Sequence, residues 1–400
     1  MKRPFHIVIV GAGIVGLALA ARLAQGSGRE SLRLTVVDAA DRPLFSADDD
    51  VSLRVSAIAG GSSAFLQSLG AWQRIEESRL SPYECMRVWD ESDGPESPSA
   101  LCFEAAEFAV PQLGFIVENT VLREALLQQL EAADVELMFG SPIRSLQAGD
   151  TQYAIEFEDG IRRHADLIIG ADGVNSFVRT AVGIEVRRWS VDQTAFVTHL
   201  ACEHGHQATA WQRFTKDGPL GILPLFDGRV SVVWSTRPDV AKAALGASDE
   251  VLGEMLMEAS DYVLGTLSVA GPRGAFPLGP QHAERYVLPR VALVGDAAHA
   301  IHPLAGQGAN LGLQDAEQLA EVIEAALDQG LYPGDLPVLR RYERSRKGAN
   351  ATMLHFTTGL NRLFTTDSRL VAELRMVGMR LFNRSGPIRE RAVKVALGVS

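Results

Sequence analysis

Five short runs place chemically useful residue types at fixed spacing: Gly11-Ala-Gly13-Ile-Val-Gly16, a lone Asp38, Asp172-Gly173, Gly295-Asp296, and Gly306-Gln307-Gly308-Ala309-Asn310 just after Pro303. Glycines in such clusters let a backbone approach a phosphate or a flat ring, because no Cβ intervenes. A carboxylate that directly follows an apolar run can accept hydrogen bonds from sugar hydroxyls. Metal chemistry is not expected. His299 and His302 are three apart, but no carboxylate or cysteine stands at ligand spacing and Pro303 adjoins them. No Ser/His/Asp or Cys/His nucleophilic arrangement stands out, and none is needed where a bound group carries the chemistry. Cys85, Cys102 and Cys202 are odd in number and far apart. They read as thiols in a reducing compartment rather than as a disulfide framework or a zinc site.

The elements that would position these runs follow from hydrophobic patterning. Residues 5–10 are β-branched and apolar, as in a strand buried on both faces, and an Ala/Leu-rich helix is predicted from the glycines to about Gln25. In such a turn Gly11 permits the bend, Gly13 lets a pyrophosphate approach, and Gly16 lets helix and strand pack closely. A second strand, 32–37, ends at Asp38, where a ribose-binding carboxylate belongs. This half predicts a dinucleotide site and leaves NAD and FAD open.

Three later segments point to FAD. An apolar strand over 167–169 runs into Asp172-Gly173, and another over 290–294 ends at Gly295-Asp296. The third, from Pro303 through Asn310 to Asp315, opens an amphipathic helix to about Leu327. A helix start there would oppose the negative charge that develops on a reduced isoalloxazine.

With 400 residues the chain can hold two or three cores. Lys2 and Arg3 before an apolar run imitate a signal peptide, but the regular glycines argue for strand–turn–helix. No apolar stretch reaches membrane-span length without charges, so a soluble cytoplasmic protein, at most peripheral to a membrane at its cytoplasmic face, is expected. The net charge of −11 argues against nucleic acid as a partner. From Arg340 onward, however, thirteen Lys/Arg face four Asp/Glu, a local excess of nine positive charges. That asymmetry fits either contact with an anionic membrane or solvated helix faces.

The runs Arg54-Val-Ser56-Ala57-Ile58, Val117-Glu118-Asn119-Thr-Val-Leu-Arg123, Gly295 through Asn310, and Arg341-Tyr342-Glu343-Arg344-Ser345-Arg346-Lys347 carry a more specific likeness. The chain resembles, over essentially its whole length, the class A FAD-dependent aromatic monooxygenases of the p-hydroxybenzoate hydroxylase fold. Within them it is most similar to the hydroxylases of ubiquinone biosynthesis. The resemblance implies an α/β fold: a discontinuous Rossmann-like FAD domain (1–75, 105–182 and 285–349), an inserted antiparallel-sheet substrate domain (76–104 and 183–284), and a C-terminal helical region (350–400).

It also implies roles. Gly11, Gly13, Gly16 and Asp38 would hold the ADP half of FAD, Arg54 would lie near the pyrophosphate, and Arg123 would contact the pyrophosphate or ribityl chain. Asp172 belongs to a motif associated with FAD and reduced nicotinamide, and Asp296 would bind the ribityl chain. Gly306, Gln307, Gly308, Ala309 and Asn310 would face the flavin ring, with Pro303 beside it near the substrate. Without the resemblance, Arg54 and Arg123 would read as surface or ion-paired arginines.

The implied reaction uses NADH or NADPH to reduce the flavin, then O2 through a C4a-hydroperoxide, to hydroxylate a polyprenylated phenol. Strands over 195–201, 209–214, 221–225 and 230–235 fit the substrate domain, with Phe214, Leu223, Pro224, Leu225 and Trp234 as candidate pocket wall or sheet core. The basic C-terminal region would contact an anionic membrane or other proteins of the ubiquinone pathway. The alternatives are another phenolic substrate in catabolism or secondary metabolism, and a non-catalytic flavoprotein assembly subunit. A flavin halogenase ranks low because its WxWxIP signature is absent.

Overall fold

The structure, a computed structural model, describes residues 3–46, 48–75, 79–133, 135–366 and 368–398. Residues 76–78, where the substrate region was expected to begin, and Asp367, Val399 and Ser400 of the C-terminal region lie outside the described residues.

The expected strand–turn–helix–strand forms at the N-terminus. Strand β1 (Phe5–Val10) is buried along its whole length and lies at the centre of a six-stranded sheet. Parallel to it on one side runs β2 (Leu32–Val37), followed by Glu136–Met138. On the other side run Leu167–Gly170 and then Val291–Leu293, with Val287–Leu288 as a short antiparallel edge. The chain leaves β1 first in one direction and later in the other, so a switch point lies between β1 and Leu167–Gly170, where such sheets bind ligands. The register sets Val10 opposite both Val37 and Gly170, and Gly170 opposite Leu293. The four carboxyl ends are therefore level, and Gly11, Asp38, Asp172 and Gly295-Asp296 follow them in one row.

Helix α1 (Ile14–Gln25) packs on Asn119–Glu131 and on the 22-residue helix Gln307–Asp328. Its Leu17, Leu19 and Leu23 have no exposed surface. Burying each stabilises the fold by about 1.5–3 kcal/mol. The other sheet face carries a three-stranded meander, whose Ile155 and Phe157 lie against Val8 and Val37.

The strands expected in the middle of the chain form, as Thr194–Cys202, Thr209–Thr215, Gly218–Pro224 and Val230–Thr236. They share an eight-stranded sheet with Cys85–Asp90 and Leu101–Glu104 from the earlier segment. Strand alternation corrects the candidate wall. Trp234 pairs with Leu220 and points into a core with Phe196 and Trp211, under the helices Pro238–Gly246 and Asp249–Ala259. Pro224 falls on that far face by the same alternation. Phe214, Leu223 and Leu225 occupy the opposite face, packed with Leu304, Ala57 and Ile116.

The C-terminal region is helical: Leu336–Thr365, Arg369–Asn383 and Pro387–Leu397. The first helix runs unbroken across residue 350, so a boundary there would cut one 30-residue element. Its Tyr342 and Asn350 are buried against the first sheet's side of the molecule, and Phe364 against the second.

Candidate functional site

The row of carboxyl ends is stitched together by backbone. Gly11 N donates to the Val37 carbonyl, Ala171 N to Val10, and Val294 N to Gly170. Gly11 has φ +110°, and a Cβ there would lie 2.3 Å from the Ala171 carbonyl oxygen, so no other residue fits. Gly16 meets Gly11 with equal closeness, at 2.1 Å. Gly13 is different: a Cβ would meet nothing within 4 Å, so its surface opens outward. Gly13 also starts α1, whose first turn has neither a side-chain cap nor an acidic residue. Unsatisfied N–H groups and a positive dipole end are thereby left for an anion.

Asp38 and Arg123 brace this turn. The Asp38 carboxylate accepts from Ala12 N at 2.7 Å and from Ala40 N at 2.9 Å. Arg123 Nε donates to the Ala12 carbonyl at 3.0 Å, which sets the guanidinium beside the glycine turn. Arg54 is exposed, lies 5.6 Å from the Phe276 ring of the second sheet, and acts on the charge of Asp296.

Asp172 is occupied locally. Its two carboxylate oxygens accept from Ser176 Oγ at 2.5 Å and Val178 N at 3.0 Å, so it holds the entry of the short helix Phe177–Ala181. Asp296 behaves in the opposite way. Solvent reaches it, yet protein crowds it on most sides, as on the floor of an open cleft. Burial raises its pKa above the ordinary carboxylate value, against the pull of His299 and Arg54. A charged carboxylate with that cost is suited to accept hydroxyl donors from a ligand.

The 306–310 segment splits into two roles. Gly306 has φ +60° and sits against Ala57, where a Cβ would come within 2.8 Å of the Ala57 Cβ. It opens Gln307–Asp328, again with no side-chain cap. A Cβ on Gly308 would meet nothing within 4 Å, and Gln307 and Ala309 are half-buried. Asn310 departs from the expected ring-facing role. It is 1% exposed; its Oδ1 accepts from Ala59 N at 2.9 Å, and its Nδ2 donates to the carbonyls of Ala57 at 2.8 Å and Gly306 at 3.2 Å. The side chain therefore clamps the segment to the strand Val55–Ala59.

Behind the cradle lies a network given no role from sequence. Asp315, fully buried, accepts from Gly295 N at 3.1 Å, Arg346 Nε at 2.7 Å and Asn350 Nδ2 at 3.0 Å, and pairs with His299 Nε2 at 2.5 Å. Burial alone would raise its pKa, but His299 and Arg346 hold it below the ordinary value. Tyr342 donates to the Leu293 carbonyl, and Glu343 accepts from Tyr286 N. His299 thus serves the network, and among the described residues no cluster of three or more His, Cys, Asp or Glu could hold a metal. The signal was present in sequence: a carboxylate on the apolar face of an amphipathic helix needs a partner.

Pro303 lies between this cradle and the second sheet. Next to it, His302 is completely buried and bonded through Nε2 to Gln193 Oε1, which also accepts from Asn361 Nδ2. Because that oxygen only accepts, His302 carries its proton on Nε2 and keeps a lone pair on Nδ1, which has no partner. Burial lowers its pKa to about 4. Leu304 packs with Val88, Phe214, Phe364 and Met379, and the Phe214 and Phe364 rings stack 3.8 Å apart.

FAD fits these residues. Open surfaces at Gly13 and Gly308, two uncapped helix starts and the enclosed Asp296 carboxylate offer partners for the phosphates, the ring and the sugar hydroxyls of such a ligand. Residues 5–357 match the family model described as FAD binding domain. The 3-demethoxyubiquinol 3-hydroxylase of Escherichia coli is 37% identical over 404 residues, covering 100% of both chains. The human mitochondrial ubiquinone biosynthesis monooxygenase COQ6 is 34% identical over 98% of this chain and 92% of its own. Among solved structures, Klebsiella pneumoniae HpxO with FAD and uric acid superposes with a TM-score of 0.76 at 18% identity, covering 98% of this chain and 96% of the other. That last likeness concerns the fold.

Proposed function

The chain belongs to the FAD-binding monooxygenase family, and from that membership we propose that it hydroxylates the aromatic ring of a polyprenylated phenol in ubiquinone biosynthesis. The observation that carries the proposal is 37% identity, over the full length of both chains, to a 3-demethoxyubiquinol 3-hydroxylase, combined with the run from Pro303 to Asn310. FAD, when bound, supplies the oxygen-activating redox chemistry; NADH or NADPH and O2 are the proposed co-substrates.

The protein's own residues would bind, orient and exclude water. The glycine turn, Asp38 and Arg123 would hold the ADP half, and Asp296 the ribityl hydroxyls. The 306–310 backbone would meet the ring, while Asn310 keeps it in place. Phe214, Phe364 and Leu304 would give the aromatic substrate a dry apolar wall next to Pro303. His302, neutral and with a free lone pair, cannot add a positive charge to that space near neutral pH.

The basic C-terminal region would bring the enzyme to an anionic membrane surface or to other pathway proteins. No helix among the described residues is long and apolar enough to cross a membrane, so the proposed contact is peripheral. The test is NAD(P)H oxidation by the purified FAD enzyme with a panel of phenols, with product masses measured. Stimulation and a mass gain of one oxygen with prenylated phenols support the reading. Stimulation by small soluble phenols alone overturns it in favour of a catabolic hydroxylase, and no stimulation by any phenol points to a non-catalytic subunit.

A further inference from the structure

The C-terminal region owes less to free charge than its composition suggests. Arg346 is bonded to Asp315, Arg375 to Asp90, Arg389 to Glu107 and Lys394 to Glu390, and Lys347 donates to the Glu284 carbonyl. The helix Arg369–Asn383 turns an apolar stripe outward, with Glu373 and Arg380 exposed along one of its flanks. Leu370, Leu374, Val377 and Leu381 are 67%, 61%, 50% and 65% exposed. Their spacing of four, three and four residues sets them on a single stripe. Surface helices of soluble proteins normally carry charge along that line, and four aliphatics in a row mark a contact surface.

The opposite side of the same helix is firmly held. Arg375 is buried, pairs with Asp90 at 3.0 Å, and donates to the Leu363 and Phe364 carbonyls, both at 2.9 Å. Met379 packs into the cluster of Phe214, Leu304 and Phe364. The stripe is therefore the outer side of a wall whose inner side borders the Pro303 loop. Arg380 and Arg384 are exposed on one flank of the stripe by helical spacing, placing cations where headgroups of an inserted helix would lie.

We infer that this outer face seats the enzyme on an anionic lipid bilayer, with Leu370, Leu374, Val377 and Leu381 inserted and Arg380 and Arg384 at the headgroups. It deepens the proposed function, resting on that reading for the lipophilic substrate the site would draw from the bilayer. The aliphatic stripe provides most of the binding and the arginines the lipid preference, which reverses the order suggested by net charge.

The test uses the full-length FAD enzyme and flotation with vesicles of phosphatidylethanolamine and phosphatidylglycerol, or of phosphatidylcholine alone. Raising salt from about 0.1 M to about 1 M, or Arg380→Gln with Arg384→Gln, should weaken binding about 10- to 30-fold. Leu374→Glu with Leu381→Glu should weaken it at least about 100-fold, with flavin absorbance and melting temperature unchanged. Equal flotation of that double variant, or no flotation of the natural protein, overturns the inference. Loss of flotation accompanied by a smaller oligomer in sedimentation assigns the face to a second copy and also overturns it. Turnover separates this from the substrate reading. A short-chain prenylated phenol in solution should be hydroxylated equally by both proteins, and a long-chain one in vesicles more slowly by the variant. Vesicle binding without activity on any prenylated phenol would end the substrate reading and leave the surface; the reverse result would end the surface alone.

Discussion

Asp296 and Asp315 lie on either side of Gly295 and meet opposite surroundings. Gly295 N donates to the later Asp315, whereas the next residue, Asp296, is reached by solvent. Asp315 is buried with four partners and a lowered pKa; Asp296 is enclosed, without a bonded partner among the described residues, and has a raised one. The difference separates the residues that make the cradle from those that use it. A site residue of this fold is recognised by an unmet demand, and a supporting residue by a demand fully met.

Removing Asp315 should have the largest effect. Asp315→Ala leaves His299 and Arg346 without their buried carboxylate and should lower the unfolding free energy by about 3–5 kcal/mol, read by denaturant titration. A loss below about 1 kcal/mol would break the contrast. Asp296→Ala should instead raise the FAD dissociation constant about 10–100-fold, measured by flavin fluorescence quenching. The melting temperature of the apoprotein should hold or rise, because a carboxylate with a raised pKa costs folding energy at neutral pH.

Acid sharpens the comparison further. Burial pushes His302, and His282 beside the Tyr286 hydroxyl, down to about 4, below the ordinary 6.5, so the unfolded chain binds protons first. Stability is thus complete above about pH 6.5 and should fall by roughly 1–2 kcal/mol per histidine between pH 7 and pH 5. Asp315 adds its loss only below about pH 4, as the carboxylate itself protonates. His302→Asn should flatten the upper slope, measured by melting across pH. The smallest effects belong to the glycines. Gly306→Ala should cost about 1–2 kcal/mol through its positive φ and its contact with Ala57, and Gly308→Ala less than about 0.5 kcal/mol in the apoprotein while weakening FAD. Equal melting temperatures for the two variants would remove the distinction between a glycine that shapes the loop and one that faces the ligand.

The glycine runs were legible in sequence because a backbone contact such as that of Gly11 with Ala171 admits one residue type. Strands such as Thr194–Cys202 were legible because alternation has a short period. The same alternation does not say which face meets the ligand, and Trp234 turned out to point away from it. Asn310 and Asp172 show a second limit: a residue can stand in a cofactor motif and be engaged with its own backbone. The roles of Asp315 and Arg346 depend on contacts 31 residues apart, and Arg375 neutralises Asp90 from far along the chain. Charge counted along the tail could not reveal that.

The Asn310 clamp has a consequence in time. It joins Ala59 to a residue 251 positions later, and Asp315 awaits Asn350 beyond that. At a synthesis rate of about 5–20 residues per second, about 13–50 s separate the two halves of the clamp. The first β-strands must wait on the ribosome with half a cradle. With the flavin held at the 306–310 segment as proposed, uptake of FAD would fall late in the life of the nascent chain.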